Sequence, residues 1–121
     1  MLRIENLTKK YGDKTAVDDL SLTIRSGGIC GFIGHNGAGK TTTIKCVAGI
    51  LSFDSGRISV DDISVSEKPL EVKRNIAYIP DDPTIYPFMT GENYLNFISD
   101  VFRIGEKERN EKIIRFSDMF E

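Results

Sequence analysis

Residues 34–42 read Gly-His-Asn-Gly-Ala-Gly-Lys-Thr-Thr and satisfy every fixed position of the pattern G-x-x-x-x-G-K-S/T, which ties a chain to strand, anion-cradling loop and helix in that order. Gly34, Gly37 and Gly39 permit backbone dihedrals closed to other residues and a close approach to an anion. The free amides at the helix start then point inward at phosphate oxygens. Lys40 adds a point charge suited to the β and γ phosphates. The Thr41 hydroxyl suits a magnesium ion that keeps most of its other ligands as water, and the Thr42 hydroxyl reaches the α phosphate.

The flanks agree with the loop. Gly28-Ile29-Cys30-Gly31-Phe32-Ile33 is a short apolar run that reads as a buried strand, and Thr41 to Ala48 reads as a helix ending near Gly49. Around this centre the chain predicts two opening strands, a strand near Gly56 to Val60, a short helix near Leu70 to Arg74, a strand at Ile76 to Ile79, and two helices. Tyr94, Leu95, Phe97, Ile98, Val101 and Phe102 recur at helical spacing after a capping Thr90 and predict a core-facing stripe. A mixed charge run from Glu106 to Asn110 precedes Ile113, Ile114, Phe116 and Met119, which predict a second buried face. Asp18-Asp19 and Asp61-Asp62 read as strand neighbours pointing to opposite faces, so neither pair is an acid/base dyad.

These residues resemble a family. The loop Gly34 to Thr42 is similar to that of the ATP-binding domains of ABC transporters, commonly G-x-N-G-A-G-K-T/S-T. Upstream, Ile4 to Gly12 and Ala16 to Ile24 look like that family's opening strands. Downstream, Leu51 to Asp62 resembles its return to a strand, and Ile76 to Pro83 followed by Tyr86 to Thr90 resembles the loop that usually carries a glutamine. The resemblance implies an α/β fold, part of a P-loop NTPase three-layer core with an antiparallel β subdomain and, over residues 90–121, the start of a helical subdomain. It implies an ATP site formed by Tyr11 stacking on adenine, Val17 packing nearby, and Gly34, His35, Asn36, Gly37, Ala38, Gly39, Lys40, Thr41 and Thr42 around the phosphates, with Mg2+ on Thr41.

One departure concerns the glutamine position, which falls on Asp81, a shorter and charged side chain. Asp81 is a candidate for magnesium or for the attacking water, beside Lys40 as the other catalytic candidate. Asp81 and Asp82 equally fit solvated turn residues between Pro80 and Pro83. His35 holds a variable loop position and reads as an exposed histidine.

The family's signature sequence, catalytic glutamate and γ-phosphate histidine have no counterpart before Glu121, so the expectation is an amino-terminal fragment, about half of one domain, that binds nucleotide at most. The parent protein is then expected to be an exporter-type ATPase, dimeric with a second ATP-binding domain and docked on a transmembrane permease at the cytoplasmic face. Competing readings are a soluble P-loop protein, either an ABC-type factor or a kinase, and an oligomerising module without hydrolysis. A kinase needs an arginine-rich lid, and the region after Gly91 offers only Arg103, Arg109 and Arg115.

Composition excludes other classes. A net charge of -2, with 16 Lys and Arg scattered among 18 acids, argues against a nucleic-acid partner. No apolar run approaches the ~20 residues of a membrane span, so membrane association is expected through a separate subunit or a separate part of a longer chain. Cys30 and Cys46 lack paired metal-site spacing and predict reduced core thiols.

Overall fold

The computed structural model describes residues 1–81, 86 and 88–120. Asp82 and Pro83 of the acidic turn lie outside the described residues. The chain divides into two compact units, Met1–Tyr78 and Ile79–Glu121.

In the first unit, β1 (Leu2–Tyr11) and β2 (Lys14–Ile24) form a hairpin closed by Gly12 and Asp13. β3 (Ser55–Val60) pairs with the other edge of β1, and β4 (Ile63–Ser64) with β3, giving an antiparallel sheet of order β2-β1-β3-β4. One face carries the core: Ile4, Leu7, Val17, Ile58, Val60 and Val65 are buried with Cys46 of α1 (Lys40–Val47) and Val72 of α2 (Pro69–Asn75). Ile4, Leu7 and Ile58 are fully buried, and the opposite face carries Arg3, Glu5 and Arg57. The alternation is that of a sheet with one face covered. Asn6 and Asp19 both take positive φ where the β1–β2 register shifts, and the Asn6 amide nitrogen Nδ2 donates to Asp19 Oδ1 at 2.8 Å across these bulges.

Several expectations fail in an instructive way. Gly28 to Ile33 and Ile76 to Ile79 are not strands: neither joins a ladder among the described residues, and Ile29, Ile33 and Ile79 are almost wholly exposed. A strand exists only where a neighbour takes its amides and carbonyls, and apolar content does not supply one. Cys30 is therefore exposed, whereas Cys46 is buried as expected. Asp61 and Asp62 are not on a strand: with φ of 48° and 62° they form the two-residue turn between β3 and β4, where both residues must take positive φ.

The second unit holds α3 (Gly91–Val101) and α4 (Glu106–Phe120). Thr90 caps α3 as predicted, its hydroxyl oxygen accepting from the Asn93 amide at 3.2 Å. Arg109 of α4 pairs with Asp100 and donates to Asn96 Oδ1 of α3. The predicted core stripes are not buried. No residue of α3 is buried, and Leu95, Phe97, Val101, Phe102, Ile114, Phe116 and Met119 stay exposed. Helical spacing identifies a face that burial would favour, and two helices alone cannot cover both faces.

Candidate functional site

The glycine-rich loop joins the unpaired segment to α1 by an arrangement that its sequence dictates. Asn36 and Gly37 form a turn, Gly37 takes φ 84°, and the Ala38 amide donates to the His35 carbonyl at 3.2 Å. Gly39 is the N-cap of α1 in the left-handed region, φ 84° and ψ 2°. No side chain caps this helix start, so its first amides face outward from a positive dipole end. Gly39 is also wedged against β2: a Cβ there would stand 2.2 Å from the Ala16 carbonyl oxygen and 3.2 Å from Val17 Cγ2. Only glycine fits, both sterically and in dihedral angle.

Lys40 folds back across the loop. Its ammonium donates to the carbonyls of Gly34 at 2.5 Å and His35 at 2.7 Å, which holds a positive charge over the loop next to the open helix start. Thr43 anchors the turn from below, its buried hydroxyl donating to the Gly39 carbonyl at 2.9 Å. Thr41 is exposed and Thr42 half-buried on the first turn of α1. His35 is exposed, with Nδ1 2.9 Å from the Asn36 carbonyl oxygen, a contact made by the Nδ1–H tautomer. Chemically the arrangement suits an anion: an uncapped helix start and one ammonium lie on the same loop, with the Thr41 hydroxyl exposed beside them.

Tyr11 and Val17 lie on the two arms of the β1–β2 hairpin. Val17 is buried and touches the position of Gly39, while Tyr11 is 49% exposed at the end of β1. An aromatic wall and a phosphate-type loop are thus carried by one hairpin and the helix packed on it. Asp81 belongs to the second unit, where it is exposed. No group of three or more His, Cys, Asp or Glu among the described residues could hold a metal ion.

Sequence reasoning missed three contributors. The Ala16 carbonyl and Thr43 shape the loop, and nothing in the motif names the strand that Gly39 must approach. Lys9, two residues before Tyr11 and hence on its side of the strand, places Nζ 5.3 Å from the Tyr11 ring centroid; that spacing was the available signal. A recess of about 680 Å³ on the outer sheet face, among Arg3, Glu5, Thr23 and Arg57, contains none of the candidate residues. An apolar cavity of about 190 Å³ lies behind the loop, between Leu22, Ile24, Phe32 and Ile44.

Comparison with known proteins places these features. The sequence model of the ABC transporter family matches residues 17–121. The chain is 34% identical over 113 residues to the SkfA peptide export ATP-binding protein SkfE of Bacillus subtilis, covering 93% of this chain and 46% of that protein. It is 45% identical over 87 residues to the lipopolysaccharide export system ATP-binding protein LptB of Escherichia coli, covering 70% of this chain and 36% of that protein. Among solved structures it resembles the ATP binding subunit of an ABC transporter with a TM-score of 0.80 at 30% identity, over 88% of this chain and 45% of that one. The fold is accordingly that of part of a P-loop NTPase domain with its antiparallel β subdomain. The chain spans less than half the length of these relatives.

Proposed function

The chain belongs to the ABC transporter family, and on that premise we propose that it carries the nucleotide half-site of an ATPase that couples ATP binding and hydrolysis to export. The observation that carries the reading is the start of α1, where an uncapped helix terminus, a left-handed Gly39 and the folded-back Lys40 ammonium converge on one concave loop. A triphosphate suits it, since several oxygens can each take an amide or the ammonium. Tyr11 offers the base a half-exposed ring, and Val17 lies buried on the neighbouring strand.

Magnesium fits the donors present. The described residues build no carboxylate cage, and one exposed hydroxyl at Thr41 suits an ion that arrives with phosphate oxygens and keeps its waters. Thr41 would hold it, and the ion would neutralise phosphate charge. In the whole protein, water attacks the γ phosphorus in line, and Lys40 and the loop amides stabilise the charge. This chain by itself is proposed to bind nucleotide without turning it over.

The remaining assignments are proposals on the same premise. Residues 90–121 begin a helical subdomain, and a second ATP-binding domain completes the site. No described helix is long and apolar enough to cross a membrane. A transmembrane permease, as a subunit or a further domain, is proposed to carry the cargo, with this chain on its cytoplasmic side. The names of the SkfE and LptB relatives, both of export systems, support the direction.

The test is calorimetric titration with Mg-ATP. Lys40→Ala is expected to weaken binding about thirtyfold, the equivalent of ~2 kcal/mol for a charge-assisted contact, and Tyr11→Ala by a comparable factor for a base stack. Equal affinity in wild type and Lys40→Ala would sink the reading.

A further inference from the structure

We propose that Lys9, held by Asp54, is a positioning residue for the Tyr11 ring: it occupies one face of the ring, leaves the other to a purine base, and so tunes base affinity without touching phosphate. The inference rests on Tyr11 being the base-stacking wall.

Lys9 sits in an unusual place for a lysine. Its side chain is only 13% exposed, yet a charged ammonium so far from water needs partners. It has two: Asp54 Oδ2 at 3.9 Å and the Tyr11 ring, whose centroid lies 5.3 Å from Nζ, within the range of a cation–π contact. Asp54 is itself fixed to β1 by two backbone bonds. Its Oδ2 accepts from the Lys10 amide at 2.7 Å and its own amide donates to the Thr8 carbonyl at 3.0 Å. The carboxylate is therefore tied to β1, and the ammonium lies between this anion and the ring.

The same residue ties the ring to the loop. In the β1–β2 ladder Lys9 is paired with Val17, the residue that packs on Gly39 at the start of α1. Lys9 is thus linked to Asp54 and Tyr11 on one side and, through its ladder partner Val17, to Gly39 on the other. A free tyrosine at a strand end samples several rotamers, and a ring fixed by an ammonium on one side has fewer to lose on binding.

The experiment compares ATP with inorganic tripolyphosphate, which has no base, by calorimetry on this chain. Lys9→Met is expected to weaken ATP binding about fivefold, the ratio that about 1 kcal/mol gives, and to leave tripolyphosphate affinity unchanged. Lys9→Arg should restore most of the ATP affinity. Asp54→Asn, whose amide oxygen can still accept from Lys10, should weaken ATP selectively and serves if Lys9→Met unfolds. Equal losses for both ligands, or none, would overturn the inference while leaving the nucleotide site standing. If the wild-type chain binds tripolyphosphate and ATP equally well, Tyr11 is not a base wall and the inference falls with it. If it binds neither, the nucleotide reading itself has failed.

Discussion

The β1–β2 hairpin and the segment Gly28 to Ile33 are built from similar residues, yet they end in opposite environments. In the hairpin, Ile4 and Leu7 face a core and every residue has a neighbour across a ladder or a bulge. In the segment, Ile29 and Ile33 have the same chemistry but face outward, with Ile33 96% exposed. What separates them is the partner strand. Burial of an isoleucine on a sheet contributes about 2 kcal/mol, but only once the backbone groups beside it are paired. The glycine-rich loop hangs between the two regions, anchored on its α1 side by Gly39 and Thr43 and leading on its other side into unpaired backbone.

The widest separation is expected in thiol chemistry, because each region holds one cysteine. Cys30 is exposed and Cys46 fully buried under the sheet. Iodoacetamide should reach the exposed Cys30 directly and label Cys46 at least ~100-fold more slowly, at a rate set by opening of the core. Burial also pushes the Cys46 thiol above its ordinary pKa, an effect that Lys9 partly opposes. The folded state therefore favours the protonated thiol. Its contribution to stability is complete below the unfolded thiol value of about 8.5 and is lost as pH rises toward the folded value. Cys46 labelling should accelerate with alkaline unfolding, read by mass spectrometry beside circular dichroism. Comparable labelling of both thiols at neutral pH would erase the distinction between the regions.

A smaller but sharper contrast is thermodynamic. Leu7→Ala removes a fully buried side chain from the sheet core and should destabilise by about 3 kcal/mol in urea titrations. Ile33→Ala removes an exposed one and should stay within about 0.5 kcal/mol. A large cost at Ile33 would mean that the segment finds a neighbour in solution.

This division also explains what was legible in the sequence. The loop was readable residue by residue, because Gly37 and Gly39 answer local demands of dihedral angle and Lys40 reaches only carbonyls five and six residues away. The hairpin was readable because its partner arm follows after Gly12 and Asp13. The segments at 28–33 and 76–79 were misread because strand formation depends on a neighbour that periodicity does not name. The stripes of α3 and α4 were misread likewise: the pattern identifies the apolar face, whereas burial depends on what packs on it. The Lys9 contact with Tyr11 escaped because Asp54, far along the chain, fixes it.

The smallest effect concerns two helix starts that contrast in the same manner. α3 opens on Thr90, whose hydroxyl takes the Asn93 amide, while α1 opens on Gly39 with no side-chain cap. A capped start has satisfied one of its orphan donors, and an uncapped one leaves that donor for an anion as well. Thr90→Ala should therefore cost about 1 kcal/mol, seen as faster hydrogen exchange confined to the first turns of α3. Adding tripolyphosphate should slow exchange at the start of α1 and leave α3 unchanged, because at α1 the open amides lie beside the Lys40 ammonium. Protection at both helices alike would mean that the anion acts through general screening, and the open start of α1 would then have no special claim to be the site.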